Sequence, residues 1–450
     1  MRIGPPILLS AMFLAVAGQP AAAFAAEGSK EGRPSAIRSA QMQLHSRQPS
    51  VRLEAIKRLQ DFPAIEAVKV LVPFAFADRV EDVRRAAYHT LLRWKDDPEV
   101  CSLLLKALDR EAHEKKGGVA LTAPLIAVLL ASALPNAEAG LNEFLETYLE
   151  KTKDGAAAVT AVADELGKQD DEQSLPSLQK LTKLKCFSSS FPCRRATVQA
   201  MILIRRPESI ETLLALLPRL DGEVAGDIVR HLTQISGEPL GSDLLAWRGW
   251  WKKHKEGFEF PARGAKPPIG EVASPGAASY YGLSLNARRI VFVLDISGSM
   301  EGPRLQAAKY ELIKAIEGLA KDVSFSIVVY NNAVAAWQKN LMPATPPNKR
   351  LAAQFVYARR GTGSTASYNA LEMAFQFDAE AIYFLSDGKP NVGKIVAPTD
   401  IVATISQANR SRRISVYAIG IAPGLPDGPF DTFLRTLAEQ NFGAYRRVDQ

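Results

Sequence analysis

Histidine and cysteine are scarce in this chain, and their scarcity excludes several kinds of active site. The 450 residues include five histidines and three cysteines, and every histidine lies before residue 255, away from the Asp, Ser and Thr motifs described below. The sequence contains no Gly-x-Ser-x-Gly elbow, no His-Glu-x-x-His pair and no Gly-x-x-x-x-Gly-Lys-Ser/Thr loop. A serine without a neighbouring base is a poor nucleophile, and zinc sites need clustered histidine or cysteine. We therefore expect neither an enzyme nor a zinc protein.

Long blocks of one charge are also lacking. The net charge is +7, but Asp and Glu are interspersed with Lys and Arg along the whole chain. No basic patch with interleaved aromatic residues occurs, so we expect no nucleic-acid binding. With 47% hydrophobic and 23% charged residues, the composition is that of a globular protein. The length allows two or three domains.

One uncharged stretch, Gly117 to Ala137, is long enough to cross a membrane. Pro124 and Pro135 interrupt it, and it lies between helical segments, so the pattern favours buried helices over a transmembrane anchor.

The amino terminus has the pattern of an export signal. Arg2 supplies a positive charge, Ile7 to Gly18 is apolar, and Ala23-Phe24-Ala25 has the small-x-small pattern of a cleavage site. We predict a signal peptide over residues 1–25, a lead-in over residues 26–49, and a mature protein that is periplasmic, bound to the cell envelope, or secreted. In such a compartment Cys186 and Cys193 either form a disulfide or remain two buried thiols, and the spacing leaves both open.

Helical periodicity predominates over residues 50–255. The segment from Val51 to Ala55 recurs 32 residues later as Val83 to Ala87, and a second helical segment follows each copy. Helix pairs of this kind bury their apolar faces by stacking on their neighbours. The start Asp-Val-Arg-x-x-Ala at Asp82 to Ala87 resembles HEAT repeats, which implies an all-α solenoid.

The predicted solenoid ends in a helix that carries three tryptophans. Trp247, Trp250 and Trp251 share one helix face, which favours a hydrophobic cap over an aromatic recognition surface. Ser242 or Asp243 supplies the amino-terminal cap of this helix. Residues 256–284 are then rich in Pro, Gly, Ala and Ser, and we predict a linker there.

From residue 285 to residue 450, short apolar segments alternate with amphipathic ones. This alternation predicts an α/β, doubly wound fold with a mostly parallel sheet covered on both faces. Ligands of such folds bind at the carboxyl ends of the strands. The predicted strands are Ile290–Leu294, Val323–Tyr330, Ala381–Leu385, Ile414–Ile421 and a final strand in the segment GAYRRVD, and the predicted helices are Arg304–Leu319, Ser367–Phe375, Asp400–Asn409 and Phe430–Gln440.

Three short polar motifs should meet at that edge. Asp-Ile-Ser-Gly-Ser follows the first strand, Gly-Ser-Thr precedes a helix, and Ser-Asp-Gly follows the strand AIYFL. We expect Gly298 to permit the sharp turn of the first motif. Carboxylate and hydroxyl oxygens are hard ligands that suit Mg²⁺, Mn²⁺ or Ca²⁺. The five candidate ligands are Asp295, Ser297, Ser299, Thr365 and Asp387.

These motifs resemble the metal-ion-dependent adhesion site of the von Willebrand factor A (vWA) domain, also found as the integrin I domain. The family signature is Asp-x-Ser-x-Ser, a separated Thr and a later Asp. The resemblance implies that Ser297, Ser299 and Thr365 contact the metal, with Mg²⁺ favoured. It also implies that the two Asp lie mainly in the layer around these three ligands rather than on the metal itself. The match of GSTASYNAL to the family pattern selects Thr365 over Thr362. Many relatives carry an acidic or neutral residue where this chain has Lys389, close to Asp387. The Lys389 ammonium either weakens metal binding or attracts an acidic ligand.

The resulting hypothesis is an exported binding or adhesion protein whose vWA domain holds a divalent cation. That cation would coordinate an Asp or Glu of a partner protein. The alternative is a structural or assembly scaffold of the cell envelope, in which the helical repeats make the main contacts.

Overall fold

A computed structural model describes residues 33–74, 78–113, 118–151, 154–169, 174–262 and 278–449. The predicted signal peptide (1–25) and the central part of the predicted linker (263–277) lie outside these residues, so both remain predictions. The described residues form a helical region up to residue 262 and an α/β region from residue 278. The predicted order of an all-α part followed by an α/β part is confirmed.

The helical region consists of paired helices with a continuous apolar core. Ala55 and Ala87, the small residues of the repeated motif, are fully buried, which lets neighbouring helices approach closely. The helices are α1 (Arg33–Leu44), α2 (Pro49–Leu59), α3 (Ala64–Phe74), α4 (Glu81–Leu92), α5 (Pro98–His113), α6 (Gly118–Ala131), α7 (Pro135–Lys151), α8 (Asp154–Gln169), α9 (Ser174–Leu181), α10 (Lys185–Ser189), α11 (Phe191–Leu203), α12 (Pro207–Leu216), α13 (Gly222–Ser236) and α14 (Leu244–His254).

The uncharged stretch forms buried helix rather than a membrane span. Helix α6 covers most of it, and Leu125 to Ala131 are buried against neighbouring helices. Pro135 begins α7, where its missing N–H costs no hydrogen bond. Across the described ranges, no helix is both long and apolar enough to cross a membrane.

Helix α14 closes the helical region. The Asp243 carboxylate accepts a hydrogen bond from the backbone N–H of Ala246 at 3.0 Å, which satisfies one of the free donors at the helix start. Trp247 and Trp251 are buried in the helical core, and Trp250 packs against it. The tryptophans therefore seal the last repeat, as the sequence favoured.

The cysteines Cys186 and Cys193 lie in α10 and α11 as buried free thiols. Their side chains hydrogen-bond to each other. Cys101 is buried in the core, as its apolar neighbours predict.

His231 is a buried histidine in α13 that sensitises the helical region to acid. Only 8% of it is exposed, and its Nε2 has no hydrogen-bond partner among the described residues. Burial, with the positive charge of Arg205, lowers the pKa of His231 to about 4. The unfolded chain takes up this proton near pH 6.5. Stability from the neutral imidazole is therefore present above pH 6.5 and is lost as the pH falls toward 4.

We expect His231→Phe to remove this part of the acid sensitivity. Between pH 7 and pH 4, the wild type should lose up to about 3 kcal/mol more unfolding free energy than the variant. Urea denaturation at several pH values measures the difference. The control is His89→Phe, because His89 is exposed on α4. Equal acid losses in the wild type and His231→Phe would contradict the prediction.

The α/β region is built on a seven-stranded sheet. Its strands are β3 (Arg289–Asp295), β4 (Ser324–Tyr330), β5 (Val334–Ala336), β6 (Met342–Pro343), β7 (Ala381–Ser386), β8 (Ser415–Ile421) and β9 (Tyr445–Val448), preceded by the hairpin β1 (Ser279–Tyr280) and β2 (Leu283–Ser284). The strand order is β5-β4-β3-β7-β8-β9, with β6 also paired to β4. Strands β4, β3, β7, β8 and β9 are mutually parallel, and β5 and β6 run antiparallel to β4.

Helices cover both faces of this sheet. Alternate residues of β3 enter two different cores: Ile290, Phe292 and Leu294 enter one, and Val291 and Val293 the other. The helices are α15 (Pro303–Gly318), α16 (Pro346–Tyr357), α17 (Ser367–Ala374), α18 (Pro398–Asn409) and α19 (Pro429–Glu439). Helices α15 and α16 pack on the first core, and α17, α18 and α19 on the second. The doubly wound prediction is confirmed.

The helical region packs against the sheet at the amino ends of the strands. Arg195 of α11 donates to Ser415 Oγ, at the first residue of β8, at 2.8 Å. The Arg288 side chain, just before β3, lies 3.4 Å from Asp221, which precedes α13. The predicted ligands lie at the opposite, carboxyl ends of the strands, away from these contacts.

A buried ionic network joins the two regions. The Arg195 guanidinium is fully buried and donates to both carboxylate oxygens of Asp227, at 2.7 and 3.0 Å. Glu223, also fully buried, accepts from Ser415 Oγ and from the Tyr417 hydroxyl, both at 3.0 Å. Charges buried this deeply are tolerated only when they are paired. The two regions therefore meet through specific contacts as well as through the intervening chain.

Candidate metal centre

Two neighbouring parallel strands bring the first and third motifs together. Leu294 of β3 pairs with Leu385 of β7, so both strands end at the same edge of the sheet. Asp295 is the last residue of β3, and Asp387 follows the last residue of β7. The hydrophobic strands thus place both carboxylates at the crevice where ligands of such folds bind.

Asp295 is the buried carboxylate of the site. It is fully buried, and it accepts hydrogen bonds from the backbone N–H of Ser297 at 2.9 Å and from Ser386 Oγ at 2.6 Å. Burial raises the pKa of Asp295 to about 6, and the negative charge of Asp387 adds to this rise. Among the residues that the structure describes, no Lys or Arg forms an ion pair with Asp295.

The two serines of the first motif connect the carboxylates. Ser297 Oγ lies 3.1 Å from Ser299 Oγ, and Ser299 Oγ donates to Asp387 Oδ1 at 2.8 Å. A short 3₁₀ turn, Gly298–Met300, places both hydroxyls on the same side. Ser299 is exposed whereas Ser297 is buried, so the cluster opens to solvent on the Ser299 side.

Gly298 is needed for close approach rather than for an unusual backbone angle. Its backbone N–H donates to the carbonyl oxygen of Gly363 at 2.9 Å. A Cβ at position 298 would lie 3.3 Å from that oxygen, closer than side chains normally come. We expected Gly298 to permit a sharp turn of the chain. The structure instead shows that Gly298 lets the first and second motifs lie in close contact.

The second motif brings Thr365 to the site. Its backbone N–H donates to the Asn391 side chain at 2.8 Å, and the residue is buried. A Cβ at Gly388 would lie 3.6 Å from Thr365 Oγ1 and 3.5 Å from Ser299 Oγ, so both hydroxyls border the same small space. Thr362 is exposed instead, and its hydroxyl accepts from Asn331 at 3.3 Å. The structure thus brings all five predicted residues together.

Three further residues of the site were missed by the sequence analysis. Ser386 donates to Asp295, Asn391 anchors the Thr365 backbone, and Arg304 Nη1 lies 3.2 Å from Asp387 Oδ2. Ser386 was visible as part of Ser-Asp-Gly, but nothing distinguished it as a hydrogen-bond donor to the other strand. Lys389, which the sequence singled out, is exposed, and the cation in contact with Asp387 is Arg304.

The donor set fits a hard divalent cation. Two carboxylates and three hydroxyls supply only oxygen, which Mg²⁺, Mn²⁺ and Ca²⁺ prefer. The buried carboxylate of Asp295 has two hydrogen bonds and no positive partner, and a cation would supply the missing charge. Within the described part of the chain, no group of three or more His, Cys, Asp or Glu side chains is placed to hold a metal ion. The candidate site is thus of the mixed carboxylate and hydroxyl type.

Comparison with known families assigns the α/β region. A sequence model of the von Willebrand factor type A domain matches residues 288–447. The chain carries a vWA domain. HEAT repeats match residues 40–121, so the vWA domain follows helical repeats of that type, as the sequence motifs predicted. Domains of the vWA family typically bind divalent cations and take part in protein–protein interaction.

Curated relatives are similar to less than two fifths of this chain. The human inter-alpha-trypsin inhibitor heavy chain H4 is 30% identical over 185 residues, which cover 38% of this chain and 19% of the relative. The heavy chain H3 of Mesocricetus auratus is 29% identical over 180 residues, covering 37% of this chain and 20% of the relative. This chain thus spans about a fifth of the length of the relatives it matches.

Solved structures also resemble part of the chain. A von Willebrand factor type A protein from Catenulispora acidiphila shares 23% identity, with a TM-score of 0.32, over 37% of this chain and 40% of the other. The conserved hypothetical protein BatB from Bacteroides thetaiotaomicron shares 17% identity, with a TM-score of 0.28, over 36% of this chain and 90% of the other. Scores at this level add nothing to the assignment.

Proposed function

We propose that this protein is an exported, non-enzymatic binding protein whose vWA domain holds a divalent cation. The cation, with Mg²⁺ favoured, is held by the oxygens of Asp295, Ser297, Ser299, Thr365 and Asp387. An Asp or Glu of a partner protein completes its coordination. Export is supported by the amino-terminal pattern of residues 1–25.

One observation carries this proposal: five oxygen-bearing side chains from three separate motifs converge around the buried carboxylate of Asp295. Three of the five are neutral hydroxyls, so a bound cation keeps much of its charge for an incoming carboxylate. The exposed Ser299 leaves an approach from solvent. The described contacts of the helical region with the sheet lie at the amino ends of the strands, away from this approach.

Calorimetric titration of Mg²⁺ and Mn²⁺ into the full mature chain tests the cation site. We expect saturable binding by the wild type and a loss of affinity of about tenfold or more in Thr365→Ala, since one of few neutral ligands is removed. The matched control is Thr362→Ala, which changes an exposed threonine of the same loop and should leave the affinity unchanged. Equal effects of the two substitutions, or no binding by the wild type at millimolar metal, would refute the proposed site.

A second candidate function, a scaffold that binds through its repeats, is favoured by a groove in the helical region. This groove, of about 440 Å³, lies between α9 and α12. Its lining includes Lys180, Lys183 and Arg219 and no carboxylate. A basic groove suits an acidic segment of a partner. Partner capture that persists in Thr365→Ala and in EDTA supports this function instead. Point variants are better here than deletion of the vWA domain, because deletion would strip the buried side chains of Arg195 and Glu223 of their contacts with Ser415 and Tyr417.

A further inference from the structure

Arg304 places a positive charge at the rim of the metal centre. It lies in the first turn of α15, directly after the first motif. Its Nη1 atom is 3.2 Å from Asp387 Oδ2 and 3.4 Å from the carbonyl oxygen of Ser299. The Arg304 side chain is 41% exposed, whereas that of Asp387 is fully buried. The guanidinium thus covers the buried carboxylate from the solvent side.

The charge is distributed unequally between the two carboxylates. Asp387 contacts the Arg304 guanidinium and the Ser299 hydroxyl, whereas Asp295 accepts hydrogen bonds from Ser297 and Ser386 and forms an ion pair with no Lys or Arg among the described residues. Arg304 therefore neutralises one carboxylate and leaves the other without a described cationic partner. A guanidinium remains protonated throughout the accessible pH range, so its charge is permanent.

We propose that Arg304 sets the charge of the loaded site so that metal and acidic ligand bind cooperatively. This inference rests on the proposed function. The two carboxylates together balance the charge of a divalent cation. With Arg304 in place, the loaded site keeps one unbalanced positive charge, and a partner carboxylate neutralises it. Arg304 thus weakens the binding of the metal alone and strengthens the binding of an acidic ligand to the loaded site.

Reciprocal coupling follows from this arrangement. A carboxylate that binds better when the metal is present must raise the affinity for the metal by the same factor. Removing Arg304 should therefore have opposite effects in two measurements: a higher affinity for the metal alone, and a smaller effect of an acidic ligand on that affinity. A residue that only supports the fold would not produce this pair of changes.

The test is calorimetric titration of Mn²⁺ into the full mature chain at low ionic strength, with and without sodium acetate as the carboxylate probe. We expect Arg304→Gln to bind Mn²⁺ about tenfold more tightly than the wild type without acetate, the order of effect of one charge near a divalent ion at the protein surface. Acetate should raise the affinity of the wild type several-fold and leave that of Arg304→Gln nearly unchanged. Arg304→Lys, which keeps the charge, should resemble the wild type.

Arg410→Gln is the matched control. Arg410 is exposed and follows α18 near the amino end of β8, at the edge of the sheet opposite the metal centre, so the same loss of charge there should change neither measurement. Mn²⁺ binding by the wild type with an unchanged affinity in Arg304→Gln would overturn the role of Arg304 and leave the proposed function standing. An equal change in Arg410→Gln would also overturn it. Absence of binding in the wild type and in every variant would overturn both.

Discussion

Asp295→Asn should abolish metal binding and, in the metal-free protein, increase stability. The substitution keeps the shape of the side chain but removes a fully buried negative charge that no described cation pairs. We expect the affinity for Mn²⁺ to fall by about 100-fold or more, because the remaining carboxylate is already in contact with Arg304. Calorimetric titration of the full mature chain measures this loss.

The gain in stability follows from the sign of the pKa shift. The pKa of Asp295 is raised to about 6, mainly by burial, from an ordinary value near 3.8. The folded metal-free state therefore holds a proton more tightly than the unfolded state, and stability is lost as the pH rises from about 4 through 6. Asparagine has no such loss, so in EDTA at pH 7 the variant should be more stable by up to about 3 kcal/mol. Urea denaturation in EDTA measures the difference.

Asp387→Asn is the control for both effects. It removes the second carboxylate of the same site, so it should also weaken Mn²⁺ binding. It should give no gain in stability, because the charge it removes is paired with Arg304. If Asp387→Asn stabilised the metal-free protein as much as Asp295→Asn, the two carboxylates would not differ in pairing as described. A wild-type affinity for Mn²⁺ in Asp295→Asn would exclude this residue from the site.

Arg195→Met should destabilise the protein by about 3–5 kcal/mol, the range found when one partner of a buried ion pair is removed. The methionine fills part of the space but leaves Asp227 and Glu223 of the helical region with fewer positive partners. Ser415, at the start of β8, also loses its hydrogen bond across the boundary. Urea denaturation of the full mature chain at neutral pH measures the effect.

The neighbouring arginine provides a matched control. Arg194 is on the same helix but half-exposed, and among the described residues it donates to the carbonyl oxygens of Phe187 and Ser188, at 3.0 and 2.9 Å. Arg194→Met should therefore cost about 1 kcal/mol or less. Adding Asp227→Asn to Arg195→Met should recover part of the loss, because it removes one of the two buried carboxylates that have lost Arg195. Equal losses in the two single variants would mean that the buried network does not stabilise the folded protein.

These two predictions concern opposite ends of the strands of the same sheet. The candidate metal centre lies at the carboxyl ends of β3 and β7, and the ionic network lies at the amino end of β8. The described contacts between the repeats and the vWA domain thus lie away from the candidate site. This arrangement agrees with the proposed function, in which a partner approaches a bound cation from outside the helical region.

The sequence by itself determined the five candidate ligands and the strands that carry them. Each motif directly follows an apolar strand or precedes a helix, so its place in a parallel sheet follows from local pattern. In the α/β region, the elements that escaped prediction were β1, β2, β5, β6 and α16. The four strands are two or three residues long, too short for a recognisable apolar pattern, and α16 begins with Pro346 and Pro347.

Only the tertiary structure decided which polar residues act together. Arg195 meets Ser415, 220 residues away in the chain, and Arg304 meets Asp387, 83 residues away. Both arginines lie in helices where the local pattern is equally consistent with a solvated charge. Local sequence fixes backbone conformation and the apolar face of each element, whereas pairing between distant charges depends on how the elements pack. For that reason the convergence of the three motifs was predictable, and the arginine beside the candidate site and the ionic contact between the two regions were not.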